Sequence, residues 1–423
     1  PLHQPLPRTA SRKGRTQLKQ NRPYPAVTVS AKAERSLRAG HPWVYADEIR
    51  STQGELTAGG ITDVFTLKGS WLGAGIYSAA SKIAVRVLTD NANETFSDAF
   101  FERRVKYALE YRRITMGADF NACRLIFGEA DGLPGVTVDR FEDVLVTQIL
   151  SYGMEVRKDI LYRALVTQLA ELGVGIRGVY ERSESPLRAK EGLEPCSGWY
   201  EGLPHSGGTS VVISENGVKY TVDFENGQKT GFFLDQKYNR LAVARLAPGK
   251  RVLDCFTHTG SFALNCALAG AEHVTAVDVS ESAVSLAREN ARLNGLDGRM
   301  DFLAADVFDL LPKLLEERAH YDIVILDPPA FTKSRRTVRS AERGYKEINY
   351  RAMRLLPRGG YLATASCSHF MENELFVKML HSAARDANVK LREVEVRKQA
   401  PDHPILWNVP ETEYLKFYIF QIV

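Results

Sequence analysis

Apolar and polar positions in the second half of the chain follow a pattern typical of strands that alternate with helices. Apolar segments bounded by turn-forming residues predict five strands, at 251–253, 273–277, 301–305, 321–326 and 360–365. Helical spacing predicts one helix over 261–269 and another that Ser280 caps and that runs to Gly295. The fourth strand is apolar almost throughout, as expected for a parallel strand covered on both faces. The pattern therefore predicts an α/β domain with a central parallel sheet.

Each predicted strand leads into a residue that can carry chemistry. These residues are Asp254, Asp278, Asp306, Asp327 and Cys367. Because the carboxyl ends of parallel strands share one edge of a sheet, we expect the five side chains on one rim. One aspartate after a strand is as readily a helix cap or turn former, and a free cysteine is often simply buried. Their recurrence after successive strands favours a ligand site.

The loop after the first strand indicates which ligand that site takes. Residues 252–262 lack the G-x-G-x-x-G pattern of dinucleotide-binding folds, and Asp254 stands where the first glycine would be. A carboxylate there suits a cationic or hydroxyl-rich ligand better than a pyrophosphate. S-adenosylmethionine, with its ammonium group and ribose, is such a ligand.

Composition divides the rest of the chain. Residues 1–26 hold six cations and no acid, which predicts a disordered basic tail, with an RNA-binding arm or a transit peptide as alternatives. Residues 27–93 predict a small β-rich barrel with one helix at 31–39. Residues 94–205 predict a middle α+β domain, and the Gly/Ser-rich stretch at 206–210 predicts a linker into the last domain, 206–423. Asn216-Gly217 between alternating segments predicts a hairpin.

Charge and cysteine usage limit the setting. The 423-residue chain has a net charge of +4, which is compatible with RNA as a partner without requiring it. Its five cysteines have no metal-ligand spacing, so we expect a reduced cytoplasmic protein without a metal site. No apolar run approaches the length that spans a bilayer, and we expect no membrane partner.

Several motifs together resemble one known family. The segment 229–236, Asp254 to Gly260, Asp327-Pro328-Pro329 and Ser366-Cys367-Ser368 are similar to those of bacterial 23S rRNA 5-methylcytosine methyltransferases. Segments 128–135, 344–349 and 402–404 extend the resemblance over nearly all of the chain after about residue 27. It implies a Rossmann-like class I domain that uses S-adenosylmethionine, an N-terminal PUA-like β-barrel and a linking middle domain. The partner it implies is 23S rRNA or a large ribosomal subunit precursor, and a homodimer is a further expectation.

The resemblance also implies roles for individual residues. Cys367 would be the nucleophile and Asp327 would contact the N3/N4 edge of the pyrimidine. The cofactor would contact Phe232, Gln236, Asp254, Phe256, Thr259, Gly260, Asp278, Asp306 and Asp327. Cytosine C5 is too weak a nucleophile to take a methyl group directly, which is why a thiolate must first add to C6. Related RNA enzymes carry a second cysteine after the fourth strand, where this chain has Ala330, so one cysteine is expected to act alone.

Cations and aromatic residues near the predicted rim suggest contacts to RNA. The candidates are Pro328, Pro329, Phe331, Lys333, Arg335 and Arg336 after the fourth strand, and Lys32 and Arg35 in the N-terminal domain. Phosphates would attract the cations, and Phe331 could stack on a flipped base. The alternative is an ordinary solvated surface.

Two other functions compete with cytosine methylation. An RNA base N-methyltransferase acting on guanine or adenine uses similar Asp-Pro-Pro motifs, but it needs no cysteine after the fifth strand. A non-catalytic RNA-binding ribosome-assembly factor would keep the fold without the reaction, and the full set of rim carboxylates argues against it. A small-molecule methyltransferase would not require the N-terminal modules.

Overall fold

The computed structural model describes residues 22–423, which form two compact units. The first unit comprises residues up to 102 together with 150–160 and 185–195, and the second comprises the remaining residues. The section 94–205, predicted as a domain of its own, is divided between the two units. The predicted basic tail lies mostly in residues 1–21, outside the described residues.

The first unit is built on one six-stranded sheet. Its strands run in the order β2-β6-β5-β4-β1-β3, and only the β1–β4 pair is parallel. The elements are β1 (Ala26–Val29), α1 (Ala31–Arg38), β2 (Trp43–Tyr45), β3 (Ile49–Gln53), β4 (Ile61–Thr66), β5 (Trp71–Tyr77) and β6 (Ile83–Thr89). Four of the strands and the helix were predicted; β2 and β3 were not. Within the described residues the edge strands β2 and β3 do not pair, so hydrogen bonds do not close the expected barrel.

Arg22 belongs to this first unit and not to the predicted tail, which was expected to reach residue 26. Its Nε donates a hydrogen bond of 2.8 Å to Asp63 Oδ1, and its Nη1 donates one of 2.6 Å to the Ala92 carbonyl oxygen. Only 8% of its side chain is exposed. A charged side chain is buried in this way when it is paired, so the folded unit begins earlier than predicted.

The second unit contains a five-stranded sheet from the middle of the chain. The strand order is β11-β10-β9-β8-β7, antiparallel except for the β9–β10 pair. The strands are β7 (Ala122–Phe127), β8 (Val136–Phe141), β9 (Val144–Ile149), β10 (Gly178–Ser183) and β11 (Cys196–Trp199). The helices of this section of the chain are α2 (Asp98–Met116), α3 (Tyr152–Glu155) and α4 (Lys158–Glu171). A single helix had been predicted over 154–172.

A two-residue hairpin follows this sheet, as predicted. Strands β12 (Ser210–Glu215) and β13 (Val218–Asp223) pair in antiparallel register through Asn216 and Gly217. Both turn residues have positive φ, 54° and 84°. Asparagine and glycine tolerate that conformation, which is why the dipeptide predicts this turn.

The last part of the second unit is a seven-stranded sheet with helices on both faces. The strand order is β16-β15-β14-β17-β18-β20-β19; β20 runs antiparallel to both of its neighbours and the other pairs are parallel. The strands are β14 (Arg251–Cys255), β15 (His273–Asp278), β16 (Met300–Ala304), β17 (Ile323–Leu326), β18 (Tyr361–Ser366), β19 (Leu391–Arg397) and β20 (Lys416–Ile422). The helices are α5 (Lys237–Ala244), α6 (Ser261–Leu268), α7 (Glu281–Leu293), α8 (Val307–Glu316), α9 (Val338–Leu355) and α10 (Asn373–Ala387). The five predicted strands are confirmed, whereas β19 and β20 were missed.

Alternate residues of the central strands enter two different cores. On β17, Ile323 and Ile325 join one cluster, and Val324 and Leu326 join the other. The first cluster also includes Phe141 and other residues of the five-stranded sheet. The two sheets of the second unit therefore share a core, which explains why the middle section is not a separate domain.

Candidate active site

The strand order places the predicted rim residues around one switch point. From β14 the chain continues to β15 and β16 on one side, and β17 and β18 lie on the other. Asp278 and Asp306 therefore lie on one side of Asp254, and Asp327 and Cys367 lie on the other. Ligands of open α/β sheets bind where the strand order reverses, which here is between β14 and β17.

Asp254 organises the loop at this switch point. Its Oδ2 accepts a hydrogen bond of 2.6 Å from the Thr257 hydroxyl and one of 3.0 Å from the Ala263 backbone N–H. Its Oδ1 is buried and has no partner among the described residues. Burial raises the pKa of Asp254 to about 7, and the carboxylates of Asp327 and Asp278 add to the rise. The site therefore holds a buried acid with one oxygen left for a ligand.

The loop itself has a constrained backbone. Phe256, His258 and Gly260 all have positive φ, at 65°, 49° and 81°. A Cβ on Gly260 would lie 3.1 Å from the Cβ of Ala287, so a side chain there would be both strained and crowded. Thr259 is buried, and its hydroxyl oxygen has no partner among the described residues. Strained backbone of this kind is typical of ligand-binding loops.

Asp278 and Asp306 occupy the predicted edge but are partly engaged by the chain. Asp278 accepts backbone hydrogen bonds of 3.0 Å from His258 and from Ser280, one on each oxygen. Asp306 is exposed and caps α8, since its Oδ1 accepts from the Phe308 N–H at 2.8 Å. Asp306 is therefore a helix cap, which was the alternative interpretation of an aspartate after a strand. This role does not depend on a ligand contact.

Two exposed apolar residues next to these acids were not predicted. Val279 is 72% exposed and directly follows Asp278, and Phe308 is 39% exposed and lies two residues after Asp306. Apolar surfaces beside hydrogen-bond acceptors suit a flat heterocycle with amino and hydroxyl substituents. An apolar residue one or two positions after a rim acid is the signal in the sequence that could have identified them.

The segment before α5 contains two phenylalanines in different environments. Phe232 is buried in the core, with the Arg240 guanidinium over its ring at 4.8 Å, and its contact with the cofactor stays a prediction. The half-buried Phe233 lies near the loop after β14, because its ring centre is 5.1 Å from that of His258 in that loop. The side chain of Gln236, a predicted cofactor contact, donates from Nε2 to Asp327 Oδ1 at 3.0 Å.

Asp327 and Cys367 come together at the ends of neighbouring strands. Asp327 directly follows β17, and Cys367 directly follows β18, with its Sγ 4.0 Å from the Pro328 carbonyl oxygen. Burial raises the pKa of Asp327 to about 7, with a further rise from Asp235. Burial also raises the pKa of the Cys367 thiol to about 11, and the negative charge of Asp327 adds to it.

A lysine near Cys367 was not predicted from the sequence. Lys416 begins the antiparallel strand β20, and its Nζ donates a 2.7 Å hydrogen bond to the Ser368 carbonyl oxygen. Its positive charge lowers the pKa of Cys367, as does that of Lys229. Burial lowers the pKa of Lys416 itself to about 8. No local pattern indicates this residue, because only the pairing of β20 with β18 brings it to the rim.

The remaining cysteines take no part in the rim. Cys255 and Cys266 are fully buried in the cores, as predicted for packing residues, and all five cysteines are free thiols. Within the described range, no three His, Cys, Asp or Glu side chains are grouped so as to hold a metal ion.

The loop after β17 combines aromatic and cationic residues. Phe331 is half-buried, and its ring centre lies 4.5 Å from that of Tyr345 and 6.5 Å from that of Phe256. Pro328 is buried and Pro329 is exposed. The cations Lys333, Arg335 and Arg336 are exposed, and none forms an ion pair with any residue from 22 to 423. They are therefore free to meet phosphate groups.

The two cations predicted in the first unit differ from each other. Lys32 Nζ lies 3.0 Å from Glu48 Oε1, so its charge is paired, and its contact with RNA stays a prediction. Arg35 is exposed on α1.

In the described part of the chain, no helix has the length and apolarity that a membrane crossing demands.

The residues at the switch point fit S-adenosylmethionine. Asp254 Oδ1 and Thr259 Oγ1 are buried polar atoms that find no partner between residues 22 and 423, and such atoms are costly unless a ligand completes their hydrogen bonds. Asp254 and Asp327 are carboxyl groups that burial keeps from ionising easily. A ligand with a positive sulfonium and a positive ammonium group favours their charged forms.

Two family models match the chain. The model for S-adenosylmethionine-dependent methyltransferases matches residues 187–420, and the model for PUA-like domains matches residues 27–90. The fold agrees with solved structures. A Streptococcus mutans protein described as a candidate SAM-dependent methyltransferase aligns with a TM-score of 0.78 at 21% identity, covering 94% of this chain and 99% of its own. A methyltransferase structure with bound S-adenosylhomocysteine aligns with a TM-score of 0.79, at the same identity and coverage.

Similar proteins of known name cover nearly the whole chain. Ribosomal RNA large subunit methyltransferase I of Aeromonas hydrophila is 44% identical over 386 residues, 90% of this chain and 96% of that protein. The protein of the same name from Klebsiella pneumoniae is 39% identical over 403 residues, 95% of this chain and 99% of that protein. Its Escherichia coli counterpart is 40% identical over 393 residues, 92% and 97% of the two chains. The chain therefore belongs to the family of these methyltransferases, which combines a PUA-like N-terminal domain with a methyltransferase domain whose cofactor is S-adenosylmethionine.

Proposed function

We propose that this protein methylates C5 of a cytosine in 23S rRNA and that Cys367 forms a transient bond to C6 of the same base. The observation that carries this proposal is the position of Cys367, directly after β18 with its sulfur 4.0 Å from the Pro328 carbonyl oxygen. A base N-methyltransferase has no use for a thiol at that point. Ribosomal RNA as the substrate rests on the names of the relatives and on the PUA-like domain.

The chemistry needs a nucleophile because C5 of cytosine is unreactive. Bound S-adenosylmethionine supplies a methyl group made electrophilic by the sulfonium centre. The Cys367 thiolate adds to C6, and the electron pair of the C5–C6 double bond moves so that C5 becomes nucleophilic. C5 would then take the methyl group as its bond to the sulfonium sulfur breaks, which leaves S-adenosylhomocysteine. When a base removes the proton from methylated C5, the electron pair left behind restores the double bond and expels the sulfur as a thiolate. One cysteine suffices for this sequence.

Charges around Cys367 set when its thiolate forms. The pKa of about 11 means that the thiol is largely protonated at neutral pH, and the Asp327 carboxylate contributes to that. Contact of Asp327 with the N3/N4 edge of cytosine would offset its charge, and the Lys416 ammonium group already favours the thiolate. The nucleophile is therefore expected to be activated when the base arrives.

Different residues would hold the cofactor and the RNA. Asp254, Thr259 and Asp278 supply acceptors and donors for the cofactor, and Phe233 and Val279 supply apolar surface. Lys333, Arg335 and Arg336 would hold phosphate groups of the RNA without identifying its sequence. A substrate that is ribosomal RNA implies a cytoplasmic protein.

The test is nucleoside mass spectrometry after incubation with S-adenosylmethionine and 23S rRNA lacking this modification. We expect 5-methylcytidine from the parent protein and none from Cys367→Ala. Large ribosomal subunits and their precursors are assayed beside naked RNA, since either is a candidate substrate. A methylated guanosine or adenosine would favour the N-methylation alternative. RNA binding without any methylated product on naked RNA or particles would favour the assembly-factor alternative.

The expected homodimer stays a prediction. Sedimentation of the purified protein over a range of concentrations measures the mass of the species present, and a mass of one chain throughout would contradict it.

A further inference from the structure

One motif shared with the resembling family has no role in the reaction described so far. It is the segment 344–349 on α9, which includes Tyr345. Tyr345 is fully buried, with 0% of its surface exposed. A buried tyrosine hydroxyl needs hydrogen-bond partners, and the identity of those partners indicates what the residue does.

Two partners of the Tyr345 hydroxyl are the serines on either side of Cys367, and a third is the backbone of Phe331. The Ser366 hydroxyl donates to the Tyr345 oxygen at 3.1 Å, and the Ser368 hydroxyl lies 3.0 Å from the same oxygen. Both serines are buried, at 0% and 1% exposure, so bulk water is not available to replace either bond. The Ser368 N–H also donates to the Ser366 hydroxyl, at 3.4 Å. The Tyr345 hydroxyl thus bridges Ser366 and Ser368 on the buried side of the Ser-Cys-Ser segment.

The ring of Tyr345 contacts the other loop of the site. Its centre lies 4.5 Å from that of Phe331, which follows the Asp327-Pro328-Pro329 segment. On its other side, Phe376 of α10 packs against the same ring at 5.7 Å. Tyr345 therefore touches the loop after β17 with its ring and, through the Phe331 backbone, with its hydroxyl, and the same hydroxyl touches the loop after β18. These loops carry Asp327 and Cys367.

We propose that Tyr345 is a positioning residue that fixes Cys367 relative to Asp327 through its bonds to Ser366 and Ser368. This inference rests on the proposed function, because it matters only if Cys367 is the nucleophile. Without the phenol oxygen, both serine hydroxyls lose a buried partner and the segment can relax. A displacement of about 1 Å at a reacting atom can cost about 100-fold in rate, so the expected effect is on turnover rather than on binding.

Tyr345→Phe tests this by removing the hydroxyl and keeping the ring. We expect kcat to fall by about 10- to 100-fold. KM for RNA and Kd for S-adenosylmethionine should each stay within about twofold, because Tyr345 touches neither. Alkylation of Cys367 by iodoacetamide, followed by mass spectrometry of its peptide, reports on the sulfur without requiring turnover, and its rate should change in the variant.

Tyr418→Phe is the matched control. Tyr418 is also a buried tyrosine of the same core, its ring also packs on Phe376, and its hydroxyl donates one 2.7 Å bond to Asn373. Loss of that bond should lower stability comparably while kcat stays within about twofold. Equal losses of kcat in the two variants, or an unchanged kcat in Tyr345→Phe, would overturn the proposal.

A double-mutant cycle shows whether Tyr345 acts through the serines. Ser366→Ala and Ser368→Ala should each lower kcat alone and add little to Tyr345→Phe, because all three changes remove the same bridge. Full additivity would overturn the proposal, and the serine variants also serve if Tyr345→Phe fails to fold. Turnover retained by Cys367→Ala would instead contradict the covalent mechanism, so the two failures are distinguishable.

Discussion

The sulfur of Cys367 lies 4.0 Å from the carbonyl oxygen of Pro328. The two residues are 39 positions apart in the chain and meet because β17 and β18 are parallel neighbours, with Leu326 opposite Thr364. This proximity places the thiol beside the loop after β17, where the charge of Asp327 acts on it.

Removal of the thiol should separate binding from turnover. Cys367→Ala is expected to bind S-adenosylmethionine with an unchanged Kd by calorimetry and to lose methyl transfer to RNA entirely, because no other group can add to C6. Cys196→Ala, at the partly exposed cysteine of β11, is the matched control and should keep full activity. Substantial methyl transfer by Cys367→Ala would remove the covalent mechanism.

Lys416 should make the reactivity of Cys367 depend on pH. The lysine has a pKa of about 8, so its charge promotes the thiolate below pH 8 and fades above it. Lys416→Met should therefore slow alkylation of Cys367 several-fold at pH 7, and the difference from the parent should shrink by pH 9.5.

The conservative variant checks that the effect is one of charge. Lys416→Arg keeps its charge over this range, so its alkylation rate should exceed that of Lys416→Met at pH 9.5 as well. Lys229 also favours the thiolate, while Asp327 and Asp235 oppose it, and all three are unchanged in these variants. A difference between parent and Lys416→Met that does not vary with pH would contradict the prediction.

Asp254 should lower the stability of the cofactor-free protein as the pH rises. Its pKa is about 7 in the folded protein and 3.8 as the ordinary value, so the folded state binds more protons between those pH values. Stability from this group is therefore present at about pH 4 and lost as the pH approaches 7. Asp254→Asn cannot ionise at this position. The difference in unfolding free energy between Asp254→Asn and the parent, measured by urea unfolding, should therefore move in favour of the variant by about 1–3 kcal/mol from pH 5 to pH 8. An equal difference at both pH values would contradict this account.

Gly260 should be required for cofactor binding more than for folding. Gly260→Ala places a methyl group 3.1 Å from Ala287 Cβ at a φ of 81°, which distorts the loop that carries Thr259. We expect Kd for S-adenosylmethionine to rise at least about 10-fold. Gly270→Ala, at φ 96° just after α6 with nothing within 4 Å, carries the strain without the crowding. It should lower the unfolding midpoint and leave Kd unchanged.

The cationic loop should supply a salt-dependent part of RNA affinity. Replacing Lys333, Arg335 and Arg336 with alanine is expected to weaken RNA binding. The slope of log K against log salt should fall by up to about 0.7–0.9 for each RNA phosphate that the loop no longer neutralises. Arg385→Ala removes an exposed cation of α10 and should change the slope little. Equal slopes in the triple variant and the parent would show that the loop is ordinary solvated surface.

Local patterns were enough to predict much of the methyltransferase sheet. The apolar segment before Asp327, the Ser280 cap of α7 and the Asn216-Gly217 turn each depend on residues close together in the chain. The Ser280 hydroxyl does accept from the Ala283 N–H, as a cap requires. Because parallel strands share a carboxyl edge, the rim order of the acids and Cys367 followed from the same patterns.

Relationships between distant segments were beyond such patterns. Strand β20 lies between β18 and β19 against the chain order, and only that insertion brings Lys416 to the Cys367 loop. Phe232 is buried and Phe233 only half-buried, and alternation within one segment does not decide which of the two rings enters the core.

The sequence by itself determined the fold class, the cofactor and the residues of the rim, because these follow from local periodicity, from strand direction and from family motifs. Only the tertiary structure decided how each rim residue is used. Asp306 caps a helix, Asp254 keeps one oxygen that no described residue contacts, and Tyr345 joins the two serines beside Cys367. These roles depend on burial and on hydrogen bonds between residues up to tens of positions apart, which packing of the whole chain creates.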